Sequence, residues 1–418
     1  MTTPGDWLRR LFGRGEPVYD PLRAVARPLP EGPMSFAEGN NRFALALYER
    51  LRQRPGNLFF SPFSIRAALG MTLAGARGET TAQMRETLCA PLVDETLHVA
   101  VAAAVRRMEG RGRDYALSVS NSLWGQEGAV LRPEFLDVIA RHYRGALHLV
   151  DFRGAPDAAR LAINLWVEEE TLGKITGLIP PGSLDTLTRL LLVNAVYFKG
   201  TWASEFIQSA TRDEPFHLEA GGKVQMKLMH QRTEVRYLQA RGFAVLDLAY
   251  RGGDLSLLVL LPDRKDGLRT LEETLSAAVI DDLVAHMRQR VVDLFLPRFT
   301  TTWGTVDLRD HLAALGMPLA FDAARADFSG INGHEPPHED SLHVSAVFHK
   351  AFVEMNERGT EAAAATAVAV LDMASVRPPK PPPIPVFRAD RPFLYAIRDR
   401  HSGALLFLGR MADPTRNG

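Results

Sequence analysis

Residues 357–372 read E-R-G-T-E-A-A-A-A-T-A-V-A-V-L-D, and how this run folds decides what kind of molecule the chain makes. Its ten residues 362–371 carry no charge, no glycine and no proline. The alanines favour helix. The tail favours strand, because Thr366, Val368 and Val370 put β-branched side chains on alternate positions. Ten uncharged residues are too few to span a bilayer, and left exposed they would pair with any open sheet edge. Directly after them, six of the eight residues 378–385 are proline, which favours extended polyproline structure at the surface and forbids a place inside a sheet. A buried strand followed by a linker fits these residues. So does an exposed segment able to become a strand.

The flanks separate the two readings. Residues 349–363, H-K-A-F-V-E-M-N-E-R-G-T-E-A-A, closely resemble the hinge of the serpin family, and residues 387–393, F-R-A-D-R-P-F, resemble the segment that follows the serpin reactive loop. Two further stretches carry the same resemblance. Residues 57–65, N-L-F-F-S-P-F-S-I, match the segment that sets two serines, here Ser61 and Ser64, beneath the central sheet. Residues 190–202, L-L-L-V-N-A-V-Y-F-K-G-T-W, match a central strand of that sheet. The likeness runs over about residues 34–414. It implies an α+β serpin fold, with three β-sheets, about eight or nine helices and an exposed reactive loop. It also implies suicide inhibition of a serine or cysteine protease rather than an enzyme activity. The protease would cleave the loop and stay attached as its acyl-enzyme while the loop enters the main sheet as a new strand.

The resemblance assigns roles to residues. The hinge comprises Glu357, Gly359, Thr360, Glu361, Ala362, Ala363, Ala364 and Ala365; small side chains there favour insertion, and bulky, charged or proline residues would block it. Seventeen residues counted from Glu357 end at Met373, so the reactive bond is expected at Met373–Ala374. Unbranched Met suits chymotrypsin-, elastase- or subtilisin-like proteases. Asp372 and Arg377 are neighbouring alternatives, although Pro378 hinders cleavage after Arg377, and the segment from the Met373–Ala374 bond to Phe387 is longer and richer in proline than is usual. Ser61, Ser64, Asn194 and His349 are expected to form one hydrogen-bonded cluster where the main sheet parts. Glu357 is expected to pair with Arg298 near Trp202, where insertion begins. A non-inhibitory serpin that binds or stores a ligand is the alternative reading.

Taken alone, the residues say less but agree. Ser61 followed by Pro62 is a helix N-cap, and an isolated Asn194 in an apolar strand needs a hydrogen-bond partner, for which His349 is the candidate. Hydrophobic residues make up 46% of the chain and charged residues 23%, values that suit a globular protein with a large core. Forty-nine basic residues balance 49 acidic ones, so no global field draws nucleic acid or an anionic membrane, and neither is expected as a partner. A monomer is expected, with loop–sheet polymers as its off-pathway state. The single cysteine, Cys89, cannot form an internal disulfide and reads as an inert buried thiol.

Residues 1–33 read as a disordered, proline-rich leader before a single domain at 34–418. Arginines interrupt every apolar run in the leader, so no signal peptide is visible and a cytoplasmic location is favoured over a secreted one. Helical spacing predicts helices over 35–54, 92–108, 133–143, 157–171 and 308–315, and two helices within 68–88 separated by a Gly-rich turn at Gly75 to Gly78. Alternation and continuous apolar runs predict strands over 117–123, 190–202, 224–238, 243–250, 255–261, 291–296, 393–397 and 404–408. Arg106, Arg107, Arg111 and Arg113 crowd one helix end, where cations complement the dipole; polyanion binding is not favoured. One literal catalytic motif occurs, His334-Glu335-Pro336-Pro337-His338, in the H-E-x-x-H pattern of zinc proteases. Two prolines between the histidines forbid the helix that pattern needs, so a surface loop is expected, with no metal and no cofactor.

Overall fold

The computed structural model describes residues 19–20, 34–90, 94–108, 115–144, 147–359 and 383–416. The first half of the chain forms Phe36–Leu51 (α1), Leu58–Phe60 (β1), Pro62–Gly75 (α2), Gly78–Thr87 (α3), Asp94–Met108 (α4), Tyr115–Gln126 (β2), Pro133–Tyr143 (α5), Leu147–Val150 (β3), Pro156–Glu170 (α6) and Leu190–Gly200 (β4). Then come Arg212–His217 (β5), Lys223–Ala240 (β6), Phe243–Ala249 (β7), Leu255–Pro262 (β8), Leu268–Thr274 (α7), Ala277–His286 (α8), Arg288–Pro297 (β9) and Phe299–Asp307 (β10). Arg309–Leu315 (α9), Ser329–Asn332 (α10), Val344–Met355 (β11), Val386–Arg388 (β12), Phe393–Asp399 (β13) and Leu405–Met411 (β14) complete it.

Two of the helices, α1 and α2, begin at serine caps. Ser35 accepts the Glu38 N–H at 3.1 Å to start α1, and Ser61 accepts the Ser64 N–H at 3.2 Å to start α2 with Pro62 in its first turn. The strands form two hydrogen-bonded sheets. One has five strands in the order β10-β11-β4-β2-β3; the other has nine, in the order β1-β14-β13-β8-β7-β6-β9-β12, with β5 paired to β6. The three sheets expected are accounted for by the length of β6, which has 18 residues. Its first part pairs with β5, its middle with β9 and its last five residues with β7, so what would be two separate sheets run into one another.

The five-stranded sheet is buried on both faces, which explains why β4 is so uniformly apolar. Leu192, Val196 and Phe198 face the main core. Leu191, Val193 and Ala195 face a second core closed by Ile163 and Val167 of α6. By the same alternation Asn194 points to the main-core side, toward α2.

The sequence left several elements unread. β3, β5, β10 and β12 are short or polar, and α7, α8 and α10 have ten residues or fewer. Arg66 is fully buried on α2 and its guanidinium donates to the carbonyls of Leu88 (2.8 Å), Cys89 (3.0 Å) and Phe36 (3.3 Å). Burial lowers its pKa to about 10. Cys89 is half-buried rather than buried, and desolvation pushes its thiol pKa up. Within the leader, Tyr19 and Asp20 are attached: Tyr19 bridges Ala240, its carbonyl accepts the Arg241 N–H at 2.7 Å, and its hydroxyl donates to Asp282. Arg107 holds the buried Asp399 at 2.6 and 2.7 Å. Arg111 and Arg113 lie outside the described residues.

Candidate functional site

The seam between β4 and β11 is the centre of the five-stranded sheet. These two strands run parallel and pair from Val344 opposite Leu190 to Val353 opposite Phe198. The same register sets His349 opposite Asn194, while on the other side of β4, Asn121 of β2 lies opposite Asn194. Three polar side chains thus line up across three adjacent strands, and the first turn of α2 presents Ser61 and Ser64 to them.

The hydrogen bonds close into one network. The Ser61 N–H donates to His349 Nε2 at 3.2 Å, so the other ring nitrogen, Nδ1, carries the proton and donates it to Asn194 Oδ1. Asn194 Nδ2 in turn donates to Ser64 Oγ and to Asn121 Oδ1. Ser64 Oγ donates to Asn121 Oδ1 at 2.7 Å, and Asn121 Nδ2 to the Ser64 carbonyl at 3.2 Å. Ser61 Oγ donates to the Leu406 carbonyl at 2.7 Å while accepting the Ser64 N–H. His349 is fully buried, and desolvation lowers its pKa to about 3, which keeps the ring neutral and able to accept at Nε2. Separating β4 from β11 would break the His349–Asn194 bond and leave two buried polar groups to find new partners. Ser61, Ser64, Asn194 and His349 are therefore one cluster. Asn121 belongs with them, and its only signal in the sequence is a polar side chain inside a strand.

The upper end of the seam is closed by a tight turn. After β11, Asn356 and Gly359 exchange both backbone bonds, N–H to O at 3.0 and 3.1 Å, so the chain reverses within four residues. Gly359 also bridges Thr201, just past the end of β4, in the antiparallel sense. Its φ of +103° is one that L side chains rarely adopt. A Cβ there would meet the Gly200 carbonyl at 2.2 Å and the Trp202 nitrogen at 2.6 Å.

Trp202 is fully buried, stacks on Tyr250 at 4.5 Å, and donates its ring N–H to the Asn356 carbonyl at 2.9 Å. Glu357 is buried beside it, and its carbonyl accepts the Phe206 N–H at 2.7 Å. Its carboxylate lies 3.9 Å from Arg298, whose side chain is 50% exposed, but only 2.8 Å from the Thr211 hydroxyl, which donates to it. Thr211 is thus the tighter partner, and nothing in its surroundings in sequence marks it. Thr360, Glu361, Ala362, Ala363, Ala364, Ala365, Met373 and Ala374 lie outside the described residues.

Comparison with known proteins places the chain in a family. The family described as serpin (serine protease inhibitor) matches residues 38–414. A leukocyte elastase inhibitor of Homo sapiens is 37% identical over 91% of this chain and 99% of its own length. A serpin-like protein of Thermococcus kodakarensis is 39% identical over 90% of this chain and 84% of its own. Among solved structures, uncleaved ovalbumin superposes with a TM-score of 0.81 at 28% identity, covering 91% of this chain and all of the other. With a family match over residues 38–414 and relatives 37% and 39% identical across most of both chains, this chain belongs to the serpin family.

Proposed function

We propose that the chain is a suicide inhibitor of a serine protease, cleaved at Met373–Ala374, whose loop then inserts between β4 and β11. The protease serine would attack the Met373 carbonyl, Ala374 would leave as a free amine, and Met373 would stay bound to the serine as an ester. Insertion before hydrolysis of that ester would carry the protease with the loop.

The observation that carries this reading is the position of Gly359. It neighbours the end of β11 through Asn356 and the end of β4 through Thr201, both in the antiparallel sense. A strand continuing from Gly359 down the seam would run antiparallel to both neighbours. It would replace one parallel pairing with two antiparallel ones, the more stable kind per residue. Alternate residues Thr360, Ala362, Ala364, Thr366, Val368 and Val370 would face the core and Glu361 would face out. No charge would then be buried. Kinship with leukocyte elastase inhibitors supports a target of elastase or chymotrypsin type, and apolar Met373 suits such a pocket.

The test is incubation with a panel of serine proteases, followed by denaturing electrophoresis. A covalent complex is expected with an elastase- or chymotrypsin-like member, together with a released peptide beginning at Ala374. Thr360→Arg should be cut at the same bond at a similar rate yet release active protease, because a charge turned into the core stalls the first step. Cleavage without any trapped complex for the wild type across the panel would leave the alternative, a serpin that binds or stores a ligand.

A further inference from the structure

His334 and His338 take no part in the seam or the turn. They sit on the loop between α10 and β11, where Pro336 and Pro337 keep the backbone out of a helix. The zinc-protease geometry is absent, as the prolines require. The histidines come together by another route: their rings stack with centroids 4.2 Å apart and planes 13° from parallel. Asp340 joins them. Among the described residues, His334, His338 and Asp340 are the group of histidine, cysteine or carboxylate side chains able to hold a metal, and their donor atoms all lie within 4.8 Å of one another.

The loop is held in shape by bonds that leave these side chains turned toward each other. The His334 N–H donates to Asn332 Oδ1 at 3.1 Å, and Asn332 Nδ2 donates to the Asp340 carbonyl at 2.8 Å. The His338 N–H donates to the buried Ser341 hydroxyl at 2.9 Å. Arg153 takes Asp340 Oδ1 at 3.0 Å, which holds the carboxyl below the usual range and leaves Oδ2 for another partner.

We propose that His334, His338 and Asp340 form a surface binding site for a divalent transition-metal ion of the Zn²⁺ or Ni²⁺ class. Two imidazole nitrogens with one carboxylate oxygen suit these borderline ions and not Mg²⁺ or Ca²⁺, which take oxygen ligands. Tetrahedral donors about 2.0–2.1 Å from zinc lie roughly 3.4 Å from one another, so the three groups need to close by about 1.5 Å or less, a side-chain adjustment. His338 Nδ1 accepts the Asp340 N–H at 3.0 Å. That bond is given up on binding, at an exposed position where water replaces it. Glu335 and the remaining coordination position are left to solvent, as in a site with three protein ligands.

Titration calorimetry of the full-length protein with ZnCl₂ and NiCl₂ tests the proposal. About one equivalent should bind to the wild type, whereas MgCl₂ and CaCl₂ give no heat of binding. His334→Ala with His338→Ala should weaken zinc binding at least about tenfold, since even partners that only orient a ligand are worth that much. Asp340→Asn should weaken it by less. The single variant His338→Gln, in which a polar side chain of similar size remains, serves if the double variant does not fold, and it too should lose about tenfold. Wild-type stoichiometry and affinity in His338→Gln, or no heat from the wild type with either transition metal, overturns the site.

Discussion

His349 is fully buried, with one ring nitrogen accepting from Ser61 and the other donating to Asn194. Its folded-state pKa is lowered from 6.5 to about 3. Above pH 6.5 both folded and unfolded chains hold the ring neutral, and its contribution is fully present. Between 6.5 and 3 the unfolded chain takes up a proton that the folded one refuses. Stability therefore falls with pH by about 1.4 kcal/mol per unit. From pH 7 to pH 5 the wild type should lose about 2 kcal/mol through this group, and His349→Gln should lack that loss. Urea unfolding of both proteins at the two pH values is the measurement; parallel losses would show that His349 is not the group responsible. Glu357 makes a second prediction at this scale. An ion pair to a half-exposed Arg298 at 3.9 Å contributes about 0–1 kcal/mol. The 2.8 Å bond from Thr211 to a buried carboxylate is worth about 1.5–3 kcal/mol. Thr211→Val should therefore lower the unfolding midpoint more than Arg298→Ala does, and the reverse order would restore the arginine as the main partner.

The turn at residues 356–359 is the element on which the seam depends. Gly359 combines a positive φ with backbone atoms of the 200–202 segment packed where a Cβ would stand. Gly359→Ala should force the turn away from Trp202 and destabilise it by about 1–3 kcal/mol, the usual cost of a strained backbone position. Hydrogen exchange should detect this locally, as faster exchange of the Trp202 and Gly359 amides, which now donate to Arg358 and Asn356. Unchanged protection at both amides would mean that the backbone there is free to shift. At the other end of the network, α2 contributes through its first turn rather than its length. Ser61 both caps the helix and reaches Leu406, so one hydroxyl joins α2 to β14 beneath the seam.

For the whole molecule, the parallel β4–β11 pairing is the feature with most consequence. If residues after Gly359 enter the seam once the loop is cut, the five-stranded sheet gains a strand. Ten or more new ladder bonds, each worth about 0.5–1.5 kcal/mol net, amount to on the order of 10 kcal/mol. The thermal midpoint should then rise by roughly ten degrees or more. Calorimetry of the chain before and after limited proteolysis within residues 360–382 checks this, and an unchanged midpoint would argue that the seam stays closed. If a loop from another copy entered the same seam, loop–sheet polymers would result.

Much was legible from the sequence because the physics concerned is local. The cap at Ser61, the start of α5 at Pro133, the hairpin of β7 and β8 and the doubly buried β4 all follow from side chains a few residues apart. Resemblance in the hinge pointed further, to His349 and Asn194 as partners 155 residues apart. Asn121 and Thr211 stayed hidden because their roles are fixed by neighbours 73 and 146 residues away, which no period or spacing reports. Arg66 stayed hidden for the same reason, its charge being met by three distant backbone carbonyls and not by a side chain the eye could pair with it. The loop at 334–340 divides between the two sources. The prolines alone ruled out a helical zinc site, but only the folded backbone, held by Asn332 and Ser341, brings two histidines and an aspartate within reach of one another. Local sequence sets which conformations each segment can adopt; which polar groups then meet is decided when long-range packing removes them from water and leaves them only each other.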